Sequence, residues 1–182
     1  MTAVSEFILN RSSEPRLEAP APDQATLERA FACAARAPDH ALLRPWRYLV
    51  VEGEGRQALS ELFVSTCNQN TTEAQKLARA PFRAPMIIVG IASPVSHPKV
   101  PEVEQVMSAA VAMGFLELAL QEAGFGVMWR TGALAYHPAV HKGLGLEPGE
   151  SITGFLYTGT VVSAKPEVPR PDVQDYVQRW PA

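Results

Sequence analysis

Met86-Ile87-Ile88-Val89-Gly90-Ile91-Ala92 contains no polar residue. A strand wet on one face alternates apolar and polar side chains, so this unbroken run reads as a strand buried on both faces. Ala84-Pro85 opens it, because the residue before a proline is steered into extended backbone. Such a strand needs cover, and the sequence on either side of it offers helices.

Downstream, Pro94 to Pro101 is a proline-rich loop, and Glu102 to Ala123 is the longest helical pattern. From Met107 onward this helix is apolar almost all round, which places it inside a protein. Its small residues Ser108, Ala109, Ala110, Ala112 and Gly114 would admit another backbone closely. Gly124 stops it; Phe125 to Trp129 reads as a short strand, Arg130-Thr131-Gly132 as a turn, Ala139 to Leu144 as a brief helix and Ser151 to Val162 as a last strand. The tail from Lys165 carries four prolines and is expected to lie extended along a surface over about 163–182, either this chain's own or that of a partner subunit.

Upstream, the spacing predicts helices at Val4 to Leu9, from Asp23 or Thr26 through Ala34 with Arg36 in the last turn, and from Arg56 to about Thr66. A polar, mobile region is expected from Asn68 to Glu73, then a short helix ending near Pro81. Arg47 to Glu52 reads as a strand, and Glu18 to Pro22 as extended chain. Helices thus segregate around four or so strands without a regular alternation, and the class is α+β in one domain over 1–182.

Composition narrows the function classes. The chain has 182 residues, a net charge of −3 and both signs mixed along it, so there is no basic footprint for nucleic acid and no polybasic membrane anchor. The N-terminus lacks the pattern of a signal peptide, and no uninterrupted apolar run reaches spanning length. Cys33 and Cys67 have no CxxC spacing and fit reduced thiols in a cytoplasmic protein.

Arginine stands beside small or hydroxyl residues in three places: Arg11-Ser12-Ser13, the loop from Arg36 to His40, and Arg130-Thr131-Gly132. A guanidinium fork, hydroxyl donors and glycine-exposed N–H groups together suit a phosphate. Taken singly, each arginine reads as a surface pair or a helix cap; taken together, the three suggest one phosphorylated ligand. No GxGxxG follows a strand and no GxxxxGK[ST] occurs, so neither a Rossmann nor a P-loop site is indicated. His137 and His141 have the i,i+4 spacing of metal ligands, but Pro138 intervenes and no third ligand is evident, so no metal is expected.

The ordered set Asn10-Arg11-Ser12-Ser13, Arg36-Ala37-Pro38-Asp39-His40, Pro45-Trp46, Val51 to Arg56, Ala80 to Pro85, Gln105 to Ala109, Gly124-Phe125-Gly126, Trp129 to Ala133 and Gly154 to Thr160 resembles the small, single-domain branch of the flavin-dependent nitroreductase family. The resemblance runs from about residue 6 to 160. It implies a three-layer α+β fold, a mixed but mainly antiparallel sheet flanked by helices, and an intertwined homodimer with FMN at the subunit interface. It also implies hydride transfer from NAD(P)H to FMN, and from there electrons to a nitro-type or related small acceptor in ping-pong order. No protein side chain is then expected to be catalytic. Carried over by position, Arg11, Ser12 and Ser13 would hold the phosphate and ribityl chain, Arg36 and His40 would contact flavin, and Arg130, Thr131 and Gly132 would approach it from the other side. Two positions depart from the family pattern: Ser12 where a second arginine is common, and Arg44 where glutamine is usual. The departure at Arg44 keeps two alternatives in view, a non-catalytic flavin or nucleotide binder and a flavin enzyme acting on a non-nitro substrate.

Overall fold

A computed structural model describes residues 2–163 and 171–181. Five strands form one sheet in the order β1-β5-β3-β2, with β4 also pairing to β5, and every described pairing is antiparallel. The strands are β1 (Leu17–Glu18), β2 (Trp46–Glu52), β3 (Met86–Ala92), β4 (Gly126–Arg130) and β5 (Ser151–Val161). The helices are α1 (Ala3–Leu9), α2 (Gln24–Ala34), α3 (Gly55–Val64), α4 (Thr72–Arg79), α5 (Glu102–Glu122) and α6 (Pro138–Gly143).

All seven residues of β3 are buried, as the unbroken apolar run requires. Its side chains divide by parity. Ile87, Val89 and Ile91 join a core with Leu59, Phe63, Val140 and Phe155, under α3 and α6. Met86 and Ile88 join Leu27, Ala30, Met113, Leu116 and Leu120, under α2 and α5. Helices therefore cover both faces, which gives three layers. Each fully buried Ile or Leu contributes about 1.5–3 kcal/mol, so the β3 side chains alone outweigh any single polar contact in the molecule.

The α5 helix has the length and apolar content of a membrane span. It nevertheless lies on the sheet, with Met113 packed where a Cβ at Gly90 would meet its sulfur at 2.8 Å. Gly90 is thus the point at which helix and strand come close enough to exclude water. Gln105 is buried on the same helix and ties down the proline-rich loop: its amide nitrogen donates to the Val95 and Val100 carbonyls, and its oxygen accepts from Val95 N–H. The opposite side of α5 leaves Val103, Met107, Val111 and Phe115 exposed at successive four-residue steps.

Several boundaries differ from the sequence reading. α2 ends at Ala34, capped at its start by Asp23, so Arg36 lies beyond the helix. Glu73 belongs to α4, whose N-cap is Thr71, because the Thr71 hydroxyl accepts from Ala74 N–H and starts the helix early. Arg130 is the last residue of β4 rather than part of a turn, held in register opposite Phe155. Residues 164–170 of the expected surface tail lie outside the described residues; 171–181 are exposed and carry one short 3-10 turn at Val173–Asp175.

Candidate functional site

Two cavities open at the two ends of β4. The first, about 260 Å³, lies between the end of α1 and the end of α5, and is lined by Asn10, Arg11, Ser12, Gln121, Gly124 and Gly126 among others. Asn10 closes α1, so the next residues run across the start of β4 and Glu14 N–H donates to the Val127 carbonyl at 2.7 Å. Gly126 permits this approach, since a Cβ there would sit 2.5 Å from Leu17 and 2.7 Å from Val161. The Ser12 hydroxyl donates to Glu14 at 2.6 Å, and Gln121 reaches back to the Ser12 carbonyl at 2.7 Å. Arg11 Nη1 bonds Glu117 Oε1 at 3.1 Å. That glutamate is a buried carboxylate on an otherwise apolar stretch of helix, so half-exposed Arg11 already has an anion beside it. The amide oxygen of Gln121 is buried with no partner among the described residues.

The second cavity is larger, about 430 Å³, and lies on the α3 and α4 side of the sheet. Its floor includes Phe63, Met128, Phe155 and Tyr157, and its charged lining is Lys76, Arg83 and Arg130. Among the described residues no aspartate or glutamate lines it. Arg130 stands over the Tyr157 ring, 5.6 Å from its centroid, and its Nε is buried with no partner among the described residues. Burial lowers the pKa of Arg130, and the positive charge of Arg83 lowers it further. Burial raises the Tyr157 hydroxyl, while the two arginines pull the other way. Gly132 has φ +81°, a backbone that favours glycine, and turns the chain out of β4 beside the cavity.

The remaining predicted residues sit apart. Arg36 is exposed after α2, and His40 begins a 3-10 turn with its Nδ1 3.1 Å from Glu104 at the start of α5. Neither lines either cavity. Between His40 and Trp46 three non-glycine residues, Ala41, Leu42 and Arg44, adopt φ of +66°, +55° and +51°. Such backbone costs on the order of 1–2 kcal/mol per residue and clusters at functional sites. Asp39 supports it by accepting from the Arg44 N–H at 2.6 Å, so the aspartate braces Arg44 rather than capping the His40 turn. The two histidines with metal-like spacing are engaged locally: His137 accepts from Ala139 N–H, and His141 Nε2 donates to the Ala135 carbonyl at 2.7 Å.

Within one chain the eight predicted residues therefore fall into three groups. Arg11 and Ser12 line the first cavity, Arg130, Thr131 and Gly132 the second, and Ser13, Arg36 and His40 neither. Sequence reasoning missed Lys76, Arg83, Tyr157, Glu117 and Gln121. Glu117 carried a legible signal, a single acid amid the apolar residues of the longest helix, whereas Lys76 had none.

Comparison with known proteins gives this arrangement a context. The chain is 38% identical over 176 residues to the Escherichia coli protein described as "Putative NAD(P)H nitroreductase YdjA", covering 94% of this chain and 96% of that one. Its fold is shared with a nitroreductase-like family protein from Bacillus cereus, at TM-score 0.89 and 23% identity, over 100% of this chain and 98% of the other. It is also shared with a variant of the FMN and NADPH-dependent nitroreductase NfnB from sphigopyxis sp. strain HMH, at TM-score 0.79 and 20% identity over the whole of both chains. The sequence model of the nitroreductase family matches residues 8–160, nearly the entire length of the sheet and its covering helices. By that match and by its close relative, the chain belongs to the nitroreductase family of oxidoreductases.

Proposed function

We infer that the protein is an FMN-dependent oxidoreductase that accepts hydride from NAD(P)H and reduces a small nitro-type or related acceptor in ping-pong order. The observation that carries this reading is the pair of cavities flanking β4, each presenting arginine and each containing a buried polar atom without a partner among the described residues, Gln121 Oε1 in one and Arg130 Nε in the other. An unpaired buried polar atom costs about 1–3 kcal/mol, and a polar ligand would satisfy it. The relatives supply the chemistry: YdjA is described as an NAD(P)H enzyme, and NfnB as dependent on FMN and NADPH.

The residues fit FMN. Arg11, Ser12 and Ser13 would hold its phosphate and ribityl chain, with the guanidinium donating in the charge-assisted manner suited to phosphate. Arg130, Thr131 and Gly132 would meet the ring from the second cavity, where the unpaired Arg130 favours negative charge on a bound group. When bound, FMN supplies the hydride acceptance and electron delivery, and no side chain need act as acid or base. Arg36 and His40 would complete the site of a partner subunit. An obligate homodimer is supported by the exposed stripe Val103, Met107, Val111 and Phe115 on α5, which alone would be an unusual apolar surface for a monomer. Val173, Tyr176, Val177 and Trp180 near the C-terminus are exposed in the same way and would lie on that partner. In this reading 1–182 is one domain, and its unpaired cysteines and nicotinamide substrate fit the cytoplasm.

The test is the visible spectrum of the purified protein, followed by anaerobic titration with NADPH and NADH. A yellow protein bleached by either nucleotide and reoxidised by a nitroaromatic is expected. A colourless protein that takes up no FMN would falsify the reading.

A further inference from the structure

We propose that Lys76 and Arg83 form a recognition pair for a carboxylate on an aromatic acceptor, seated in the cavity on the α4 side of β4. The substrate class this adds rests on the flavin reading; the binding step does not.

Lys76 lies in the last turn of α4, Arg83 ends the 3-10 turn that follows it, and Arg130 ends β4. Three elements thus bring three cations to one cavity, and no carboxylate among the described residues lines it. Neither Lys76 nor Arg83 has an ion-pair partner among those residues. Two arginines outside this cavity do have carboxylate partners: Arg47 grips Glu150 through two nitrogens, and Arg11 meets Glu117. Like charges left together without an anion repel one another; burial lowers the pKa of Arg130 most, and the charge of Arg83 lowers it further. An arriving anion relieves it.

The floor specifies the rest of the ligand. Phe63, Phe155 and Tyr157 are buried aromatic residues that present a largely apolar surface below the charged lining. A cavity of about 430 Å³ is at the small end of ligand sites, room for a single-ring compound. An apolar ring below and a carboxylate at the rim satisfy both features at once. A bare phosphate would satisfy only the charges.

The same chemistry could come from a phosphate of FMN or of the nicotinamide nucleotide, so the experiment separates these sources. Binding is read by the fluorescence of Trp129, which lines the cavity, on the full chain with its cofactor as purified. The probes are 4-nitrobenzoate, its neutral isostere 4-nitrobenzamide, and inorganic phosphate. The benzoate should bind about tenfold tighter than the amide, the worth of one charge-assisted contact. K76Q and R83Q should each remove most of that difference, and R83K should restore part of it. Salt should weaken the benzoate and leave the amide unchanged, because the pair is at the rim. Phosphate should compete poorly. Equal affinity for acid and amide, or an acid preference that survives both glutamine variants, would overturn the proposal. Phosphate that displaces the benzoate at equal concentration would overturn it as well, by assigning the cations to a phosphoryl group. Flavin content is measured in parallel, so a protein without flavin counts against the oxidoreductase reading alone.

Discussion

The two ends of β4 hold arginines in opposite circumstances. At the Gly126 end Arg11 has a buried carboxylate 3.1 Å away, and Glu14 also lines the cavity. At the other end Arg130 has another arginine as its electrostatic neighbour and, among the described residues, no partner for its buried Nε and no acid in the lining. A paired guanidinium is held in place but has little charge left to offer. An unpaired one stores repulsion that a ligand can release. The first end is therefore built to position a group, and the second to attract one.

The fully paired reference for this contrast is Arg47 with Glu150, and it should show the largest effect. The Arg47 hydrogen bonds, with help from Ser93 and Glu147 N–H, hold the Glu150 carboxyl at about 2 against an ordinary 4.5. A carboxylate whose folded pKa is depressed adds stability above its unfolded pKa and loses it as pH falls through the folded one. Stability should therefore decline from about pH 4.5 towards pH 2, and E150Q should remove about 2 kcal/mol at neutral pH while flattening that limb. This is less than the full linkage value, because one third of Arg47 is exposed and solvent screens the pair. Urea denaturation at a series of pH values measures both; an unchanged acid limb in E150Q would remove the reference.

A smaller change sharpens the comparison directly. E117Q converts the paired end into an unpaired one by freeing Arg11, and should tighten FMN retention severalfold, about 1 kcal/mol. R11A should loosen it and also strand Glu117 in its buried position. Equilibrium dialysis of FMN against each variant decides the point, and equal retention in all three proteins would mean that Arg11 contacts no phosphate.

The smallest effect is expected where pairing is already absent. R130M in flavin-free protein should change unfolding free energy by no more than about 0.5 kcal/mol, since relief from Arg83 offsets the lost contact with the Tyr157 ring. A loss of about 2 kcal/mol in thermal or urea unfolding would show that Arg130 is a structural residue, and the contrast between the two ends would fail.

How much of this was legible beforehand follows a physical divide. The β3 run gave its own burial on both faces, because an apolar side chain at every position leaves no face for water. The stop at Gly124 could be read for the same kind of local reason, whereas the all-round apolar character of α5 overstated its burial, since within the chain only one side packs on the sheet and Val103, Met107, Val111 and Phe115 stay exposed. Helix ends were less legible: Arg36 was misplaced because α2 closes in i,i+3 turns, Arg36 N–H to the Cys33 carbonyl and Ala37 N–H to the Ala34 carbonyl, and Glu73 because the Thr71 cap starts α4 early. Among the candidate residues, Arg11, Ser12 and Arg130 to Gly132, each in a short segment with recognisable chemistry, line the two cavities.

What the sequence could not provide was the company those residues keep. Arg11 and Glu117 are 106 positions apart, and only the packing of α5 against the start of β4 brings them together. Lys76, Arg83 and Arg130 come from three separate elements, and nothing local announces that they share a cavity without an acid. The amino-acid sequence by itself determined the covered strand, the long apolar helix and the arginines, since these depend on local periodicity and side-chain chemistry. Only the tertiary structure decided which arginine is neutralised and which is left charged, because an electrostatic environment is a sum over neighbours in space.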